Sequence, residues 1–582
     1  MKKIAFILLV TLFNSLFLLA QNGTDPVLLV IDKDTVLKSE FLYSFQKNND
    51  IKKTTSDEIK EYLDLFINFK LKVKEGKEMK LDTSMAFIRE LESYKNQSAQ
   101  QYLIDKDISD KLIDEAYERM KYNIRASHIL INCSASASPK DTLMAYNKAI
   151  NIRNKILQGM SFSDAAVAFS DDPSARDTIN PVTHKLQLGN KGELGYFTVF
   201  NLIYPFETGA YNTEVGKISM PIRTNFGYHL IFVKDKIPAI EKISVSQIFI
   251  PDTMAKMNKM SDYTRGKMTE ISARLEKGED FVTLVKLFSE DKASKEKDGA
   301  VEPFTPNRKS PDFVKACISL KPGQYSDPIS STLGWHIVKL NEITPVTVDD
   351  EAKYFIKNKI SRDSRSHLSR ESLVEKLKIE YKYQDKGKKA AFKFFKNNLP
   401  ETYFNSTSRE ILELPGIDKL KPIFTFADQQ VPVKDFANYI SRFQGVNLKE
   451  SVMQFIESKY PAFVQEKIIA YENEHLIVKY PEFKELITEY HDGMILYEIN
   501  SQMVWSKAMK DSVGLTSYYE KIKFNYPVDP NAETVVYKPM SEIRALVITQ
   551  YQDFLDQQWI QELKTKYPVI IKEDVLNSIL KK

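Results

Sequence analysis

Two kinds of hydrophobic spacing alternate along this chain. Pro26-Val27-Leu28-Leu29-Val30-Ile31 and Thr35-Val36-Leu37 flank the polar Asp32-Lys33-Asp34, a pattern that predicts two short strands around a turn. Helical spacing then takes over. Ser39 is placed to cap a helix that begins Glu40-Phe41-Leu42-Tyr43. Tyr62, Leu63, Leu65, Phe66, Phe69 and Val73 line one face of a second helix. A long helical stretch is expected from Met85 to Met120, with Phe87, Leu91 and Tyr94 in register.

The same order returns near the other end. Pro422-Ile423-Phe424-Thr425-Phe426, Asp428-Gln429-Gln430 and Val431-Pro432-Val433-Lys434-Asp435-Phe436 mirror the opening hairpin and helix. Phe483, Leu486 and Tyr490 mirror Phe87 to Tyr94, and Tyr519-Glu520-Lys521 mirrors Tyr117-Glu118-Arg119. A third echo pairs Glu375-Lys376-Leu377-Lys378-Ile379-Glu380-Tyr381 with Gln561-Glu562-Leu563-Lys564-Thr565-Lys566-Tyr567. These echoes imply a duplicated helical module: a strand pair, several helices, then a closing helix and strand. In the first copy other domains are inserted before the closing helix.

At 582 residues the chain is too long for one core. Basic and acidic residues are interspersed, with a formal charge of +4 and no polybasic run, which argues against a nucleic-acid partner. The N-terminus departs from this mixture. Lys2 and Lys3 precede an uncharged apolar run from Ile4 to Ala20, and polar residues follow at once. This is the pattern of a secretory signal cut after Ala20; a retained anchor is the alternative, since the run nearly reaches spanning length. No later segment is apolar enough to span a bilayer. Cys133 and Cys317 fall in different expected domains and are read as unpaired small core or edge residues rather than nucleophiles.

Between Arg125 and Asp235 five motifs follow one another. They are Arg125-Ala126-Ser127-His128-Ile129-Leu130-Ile131, Phe162 with Phe169-Ser170-Asp171-Asp172-Pro173, Gly192-Glu193-Leu194-Gly195-Tyr196-Phe197, Pro205-Phe206, and Phe226-Gly227-Tyr228-His229-Leu230-Ile231. In that order they resemble the parvulin family of peptidyl-prolyl isomerases. The resemblance implies an FKBP-like β-α-β rotamase fold and chemistry with no metal or cofactor. His128 and His229 then match the paired histidines of adjacent central strands, and Asp172 the cysteine or aspartate beside the substrate carbonyl. Leu194, Leu202 and Phe206 match the apolar proline pocket. Phe226 stands where a small hydroxyl residue is found, which weakens the case for a polar donor there. Arg176, Lys185 and Lys191 lie in a lengthened loop expected to cover or restrict the site.

From Ala239 to Val346 the pattern recurs in altered form. Gln247 replaces the first histidine, Lys309 replaces Leu202, and Val301, Phe313 and His336 remain. This second domain is therefore expected to be degenerate, its histidine pair broken. The hairpin-plus-helix modules joined to parvulin domains behind a signal resemble the SurA and PrsA group of secreted foldases. The chain is accordingly expected to be an α+β multidomain protein. Its parts are a signal peptide (1–20), an N-terminal helical module (21–121), parvulin domains at 122–238 and 239–345, a closing helix and linker (346–415) and a C-terminal helical module (416–582). The resemblance implies a periplasmic prolyl isomerase and chaperone for unfolded or extended X–Pro-containing clients, with outer-membrane proteins as the expected class. The helical modules form a cradle within one chain or between two, so a homodimer stands among the expected states. A non-catalytic holdase and a structural envelope protein are the competing readings. The 29 Tyr and 34 Phe suit client binding, and equally suit thick helical cores.

Overall fold

The structure is a computed structural model that describes residues 25–581 except 136, 180–185, 406–413, 447, 449–450 and 531–534. The expected signal peptide lies outside the described residues. The chain forms two compact units, one made of residues up to Tyr102 with those from Tyr471 onward, the other of Leu103–Ala470. The expected 416–582 module is therefore divided between them.

In the first unit the strands Val27–Ile31 and Asp34–Leu37 pair as an antiparallel hairpin whose turn places Asp32 at φ 55°. A third strand, Val569–Ile571, pairs with the first, Leu29 opposite Ile571. The helix before that strand, Met540–Lys566, buries Val547, Tyr551, Leu555, Trp559 and Leu563, every fourth residue. Its stripe packs with Phe41, Phe45, Leu63 and Phe66 in one core. The helix Ser56–Glu78 starts at a capping box, Thr55 and Glu58 each bonding the other's backbone N–H. The expected helical stretch from Met85 to Met120 is broken: one helix runs Met85–Ala99 and the next Lys106–Met120. Asp105 explains the break, capping the second helix while its buried carboxylate receives Ser372 and Lys376.

In the second unit the strands Phe424–Phe426 and Gln429–Val431 form a hairpin of the same kind, with Ala427 at φ 46° in the place of Asp32. Gln384 exchanges both backbone hydrogen bonds with Thr425, and Ala427 N donates to Tyr381 O as Asp32 N donates to Pro568 O. Each hairpin is thus closed by the chain leaving a helix. The closing segments are exchanged relative to the expected copies. The segment after Ser366–Glu380 closes the second hairpin, and the C-terminal strand closes the first.

Also in the second unit, four antiparallel strands run in the order Glu193–Phe197, Tyr122–Asn132, Gly227–Pro238 and Ile222–Arg223. Period-two alternation splits the two central strands between faces. Ile129, Ile131 and Leu230 pack under the helices Pro139–Leu157 and Phe162–Phe169. Ile124, Ala126, Ile231 and Val233 face the short helix Tyr204–Tyr211. The second α/β region repeats the plan with strands Ile240–Pro251, Gly334–Pro345 and Ile329–Ser330. The two regions share a core, since Tyr196 of the first is packed among Ile243, Val245, Phe304 and Phe313 of the second.

Candidate active site

His128 lies on the strand Tyr122–Asn132 and His229 on Gly227–Pro238, on the face that the helix Tyr204–Tyr211 covers. The backbone sets this geometry. His128 N donates to Gly192 O across a bulge, and Gly192 has φ +80°, where a Cβ would lie 2.5 Å from His128 O. Phe206 stands edge-on to both imidazoles, its ring centroid 5.7 Å from His128 and 5.2 Å from His229. Leu194 and Leu202 pack against the same cluster as Phe206. Together these side chains wall an apolar slot with an imidazole floor.

A chain of hydrogen bonds runs beneath the slot. His128 Nε2 is 2.9 Å from Asp172 Oδ2, the two Nδ1 atoms are 3.4 Å apart, and His229 Nε2 is 2.8 Å from the Thr224 hydroxyl. Burial raises the Asp172 carboxyl, but hydrogen bonds from Ser174 and the neighbouring His128 outweigh it and leave the group below the usual carboxylate range. Burial also lowers His128, more than Asp172 raises it, and takes His229 down to about 4. With the carboxylate charged and both imidazoles neutral, one proton arrangement fits. His128 Nε2–H donates to Asp172, His229 Nδ1–H donates to His128 Nδ1, and Thr224 O–H donates to His229 Nε2.

A PPIC-type PPIase domain model matches residues 111–237, and a second PPIC-type PPIase domain model matches 248–342. The chain carries two parvulin domains. It is SurA-like. Chaperone SurA of Thiobacillus denitrificans is 26% identical over 276 residues, 47% of this chain and 60% of that protein. Chaperone SurA of Methylococcus capsulatus is 26% identical over 220 residues, 38% of this chain and 45% of that protein. The chain thus spans between 45% and 60% of the length of these relatives. Among solved structures, the peptidylprolyl isomerase PrsA from Bacillus anthracis is 29% identical, covering 24% of this chain and 60% of its own, with a TM-score of 0.17. NmPin, the parvulin of Nitrosopumilus maritimus, is 31% identical, covering 19% and 96%, with a TM-score of 0.15.

The first parvulin domain differs from the sequence reading at three places. Phe226, expected among the substrate-binding residues, is 62% exposed at the turn before Gly227 and stands outside the buried cluster of Phe206. The turn directs Thr224 inward instead, and Phe226 contributes a backbone N–H to the Thr224 hydroxyl. Thr224 is the hydroxyl partner that the Phe226 position does not supply, and its spacing of five residues from His229 is the signal for it. Second, Arg176 turns its guanidinium to the carbonyls of Val167 and Ser170 rather than over the slot. Lys185 lies outside the described residues. Third, Glu207, next to Phe206, is fully buried and receives Arg119 at 2.8 Å and Arg365 at 2.9 Å. This triad ties the Phe206 helix to the helix Lys106–Met120 and to the start of Ser366–Glu380. No local pattern marks it, because its members are far apart in sequence.

In the second parvulin domain the histidine pair is lost at Gln247, but a hydrogen bond to His336 is kept. Gln247 Nε2 donates to Asp291 Oδ2 at 2.9 Å, and its Oε1 lies 2.9 Å from His336 Nδ1. Ser331 Oγ lies 2.8 Å from His336 Nε2. An amide presents a donor and an acceptor as a neutral imidazole does, so Gln247 takes the place of His128 in an unbroken chain. Cys133 and Cys317 are both buried and unpaired.

Proposed function

We propose that the chain is a peptidyl-prolyl cis-trans isomerase and chaperone for exported proteins, with the first parvulin domain as its catalytic site. The observation that supports this reading is the convergence of Phe206, His128, His229 and Asp172 on one slot. Rotation about X–Pro faces a barrier of about 18–20 kcal/mol because twisting removes amide resonance. Leu194, Leu202 and Phe206 hold the pyrrolidine ring. Twisting also drains charge from the carbonyl oxygen, so a dry slot disfavours the planar amide more than the twisted one. The imidazole chain keeps that floor neutral, and Asp172, partly exposed at its end, faces the carbonyl side.

The clients are unfolded polypeptides containing X–Pro bonds, with outer-membrane proteins as the expected class and the periplasm as the compartment. The apolar run before Gln21 supports export. Among the described residues no helix is long and apolar enough to cross a membrane. The test is isomerisation of a Leu–Pro peptide by the full chain beside Phe206→Ala. Activity that falls at least tenfold in the variant supports the reading, and equal activity overturns it.

A second, non-catalytic holding role is favoured by one observation. A cavity of about 1050 Å³ in the first unit has Phe87, Tyr94, Tyr490, Met494 and Tyr497 in its lining, beside charged residues such as Glu90 and Glu489. Aromatic and thioether side chains of this kind accept varied apolar segments. Suppression of client aggregation by Phe206→Ala at wild-type level would assign holding to this surface rather than to the slot.

A further inference from the structure

The second parvulin domain carries a slot built on the plan of the first, with one charged wall. Phe313 stands edge-on to His336 at 5.4 Å and 87°, as Phe206 stands to His229 at 5.2 Å and 88°. Phe304 packs against Phe313 at 5.9 Å. The hydrogen-bond chain Asp291–Gln247–His336–Ser331 lies beneath, and the Gly299 carbonyl accepts from Gln247 N as Gly192 accepts from His128 N. An unused site would not be expected to keep a buried polar chain satisfied end to end, because each unsatisfied member is costly.

Lys309 occupies the position of Leu202. Its ammonium lies 5.5 Å from the Phe304 ring centroid and 5.8 Å from that of Phe313. No carboxylate lies within ion-pair distance of it among the described residues, and the nearby Asp291 is engaged by Gln247 and Ser294. The side chain is exposed. An ammonium resting on aromatic faces at an exposed site is held weakly and on a flexible stem. An arriving anion therefore competes well for it, and drawing it aside uncovers the Phe313 ring.

We propose that the second parvulin domain is a binding site for proline segments bearing an acidic residue next to the proline, with Lys309 as the group that selects the charge. The acidic side chain takes the ammonium and the pyrrolidine ring takes the vacated aromatic slot. Neutral segments must displace the cation without compensation, and basic ones are repelled. This rests on the isomerase reading only in taking a proline ring as the occupant. It divides client sequence between the two domains: neutral X–Pro to the first, acidic X–Pro to the second.

The test uses the full chain carrying Phe206→Ala, which disables the first slot, and titrates short Glu–Pro, Leu–Pro and Lys–Pro peptides by calorimetry at low and high salt. The Glu–Pro peptide is expected to bind about fivefold tighter than Leu–Pro at low salt, and the preference to fade at high salt. Adding Lys309→Leu is expected to remove the preference and improve Leu–Pro binding. Adding Phe313→Ala is expected to abolish both. Lys309→Gln, which keeps a polar exposed side chain, controls for folding and should also lose the preference. Equal binding of Glu–Pro and Leu–Pro, or a preference that survives both Lys309 variants, overturns the proposal. So does a failure to bind any of the peptides. Loss of Leu–Pro isomerisation in Phe206→Ala is a separate result and bears only on the first domain.

Discussion

Tyr94 and Tyr490 stack face to face, with ring centroids 3.6 Å apart and planes 3° apart. They are the positions that the sequence echo of Phe87 to Tyr94 in Phe483 to Tyr490 pairs. The contact Lys77–Asp492, at 3.0 Å, and the contact Asn473–Asn96, at 3.3 Å, exchange under the same offset in sequence. Echoed residues of the helices Met85–Ala99 and Pro481–Asn500 thus meet within one chain. Tyr94→Ala and Tyr490→Ala should show a coupling of about 0.5–1.5 kcal/mol in a double-mutant cycle read by urea unfolding. Strict additivity would mean that the stack contributes nothing beyond buried area.

The Glu207 triad gives a larger expectation. Glu207→Ala removes the carboxylate shared by the buried Arg119 and Arg365, leaving Arg119 only Glu115 and Arg365 only Asp363 as ion-pair partners. Removing one partner of a buried ion pair costs about 3–5 kcal/mol. The denaturation midpoint should fall accordingly, and isomerase activity should fall with it because Phe206 is the neighbouring residue. An unshifted midpoint would show that the ion pairs do not fix the helix.

Thr224→Val removes the hydroxyl that donates to His229 Nε2 while keeping the side-chain shape. A lost hydrogen bond to a buried ring nitrogen costs about 1 kcal/mol or somewhat more, so isomerisation should slow about five- to tenfold. Thr224→Ser should retain activity. If Val and Ser variants behave alike, the hydroxyl does not orient the imidazole.

Acidification should weaken the fold in a defined window. His229 and His336 are both held at about 4, burial being the main cause, against an ordinary 6.5. Both take up a proton more readily unfolded than folded. The stability linked to their neutrality is full above about pH 6.5 and is lost as pH falls toward 4, at about 1.4 kcal/mol per pH unit for each group. Unfolding midpoints at pH 7.5 and 5 should therefore differ clearly. The folded His229 ring stays neutral down to about pH 4, so the Asp172–His128–His229 chain of the folded molecule should persist while overall stability falls. A flat stability profile across this window would contradict the assignment of neutral, buried rings.

Much of this protein is legible in its sequence because the signals are local. Period-two alternation puts His128 and His229 on the face that holds Phe206, and the Asx-rich turns at Asp172 and Asp291 come at fixed places after a Phe-Ser pair. Aromatic helical spacing also places Phe41, Phe66 and Phe87 on the buried faces of their helices. These patterns depend on neighbours a few residues apart, and no distant contact alters them.

The tertiary structure decides what local patterns leave degenerate. Glu375–Tyr381 and Gln561–Tyr567 share Leu-Lys and a closing Tyr, and neither pattern says which hairpin it completes; packing sends the first to Phe424–Val431 and the second to Val27–Leu37. Gln247 looks like a loss beside histidine until Asp291 and His336 are placed on either side of its amide, where the two groups are interchangeable as donor and acceptor. Thr224 and Phe226 differ by two residues, and only the turn's geometry assigns one inward and the other to solvent. The Arg119–Glu207–Arg365 triad joins residues from three separate stretches, and an isolated charge in a sequence carries no mark of its partner. Hydrophobic period is a property of a segment, whereas partner choice is a property of the closed fold.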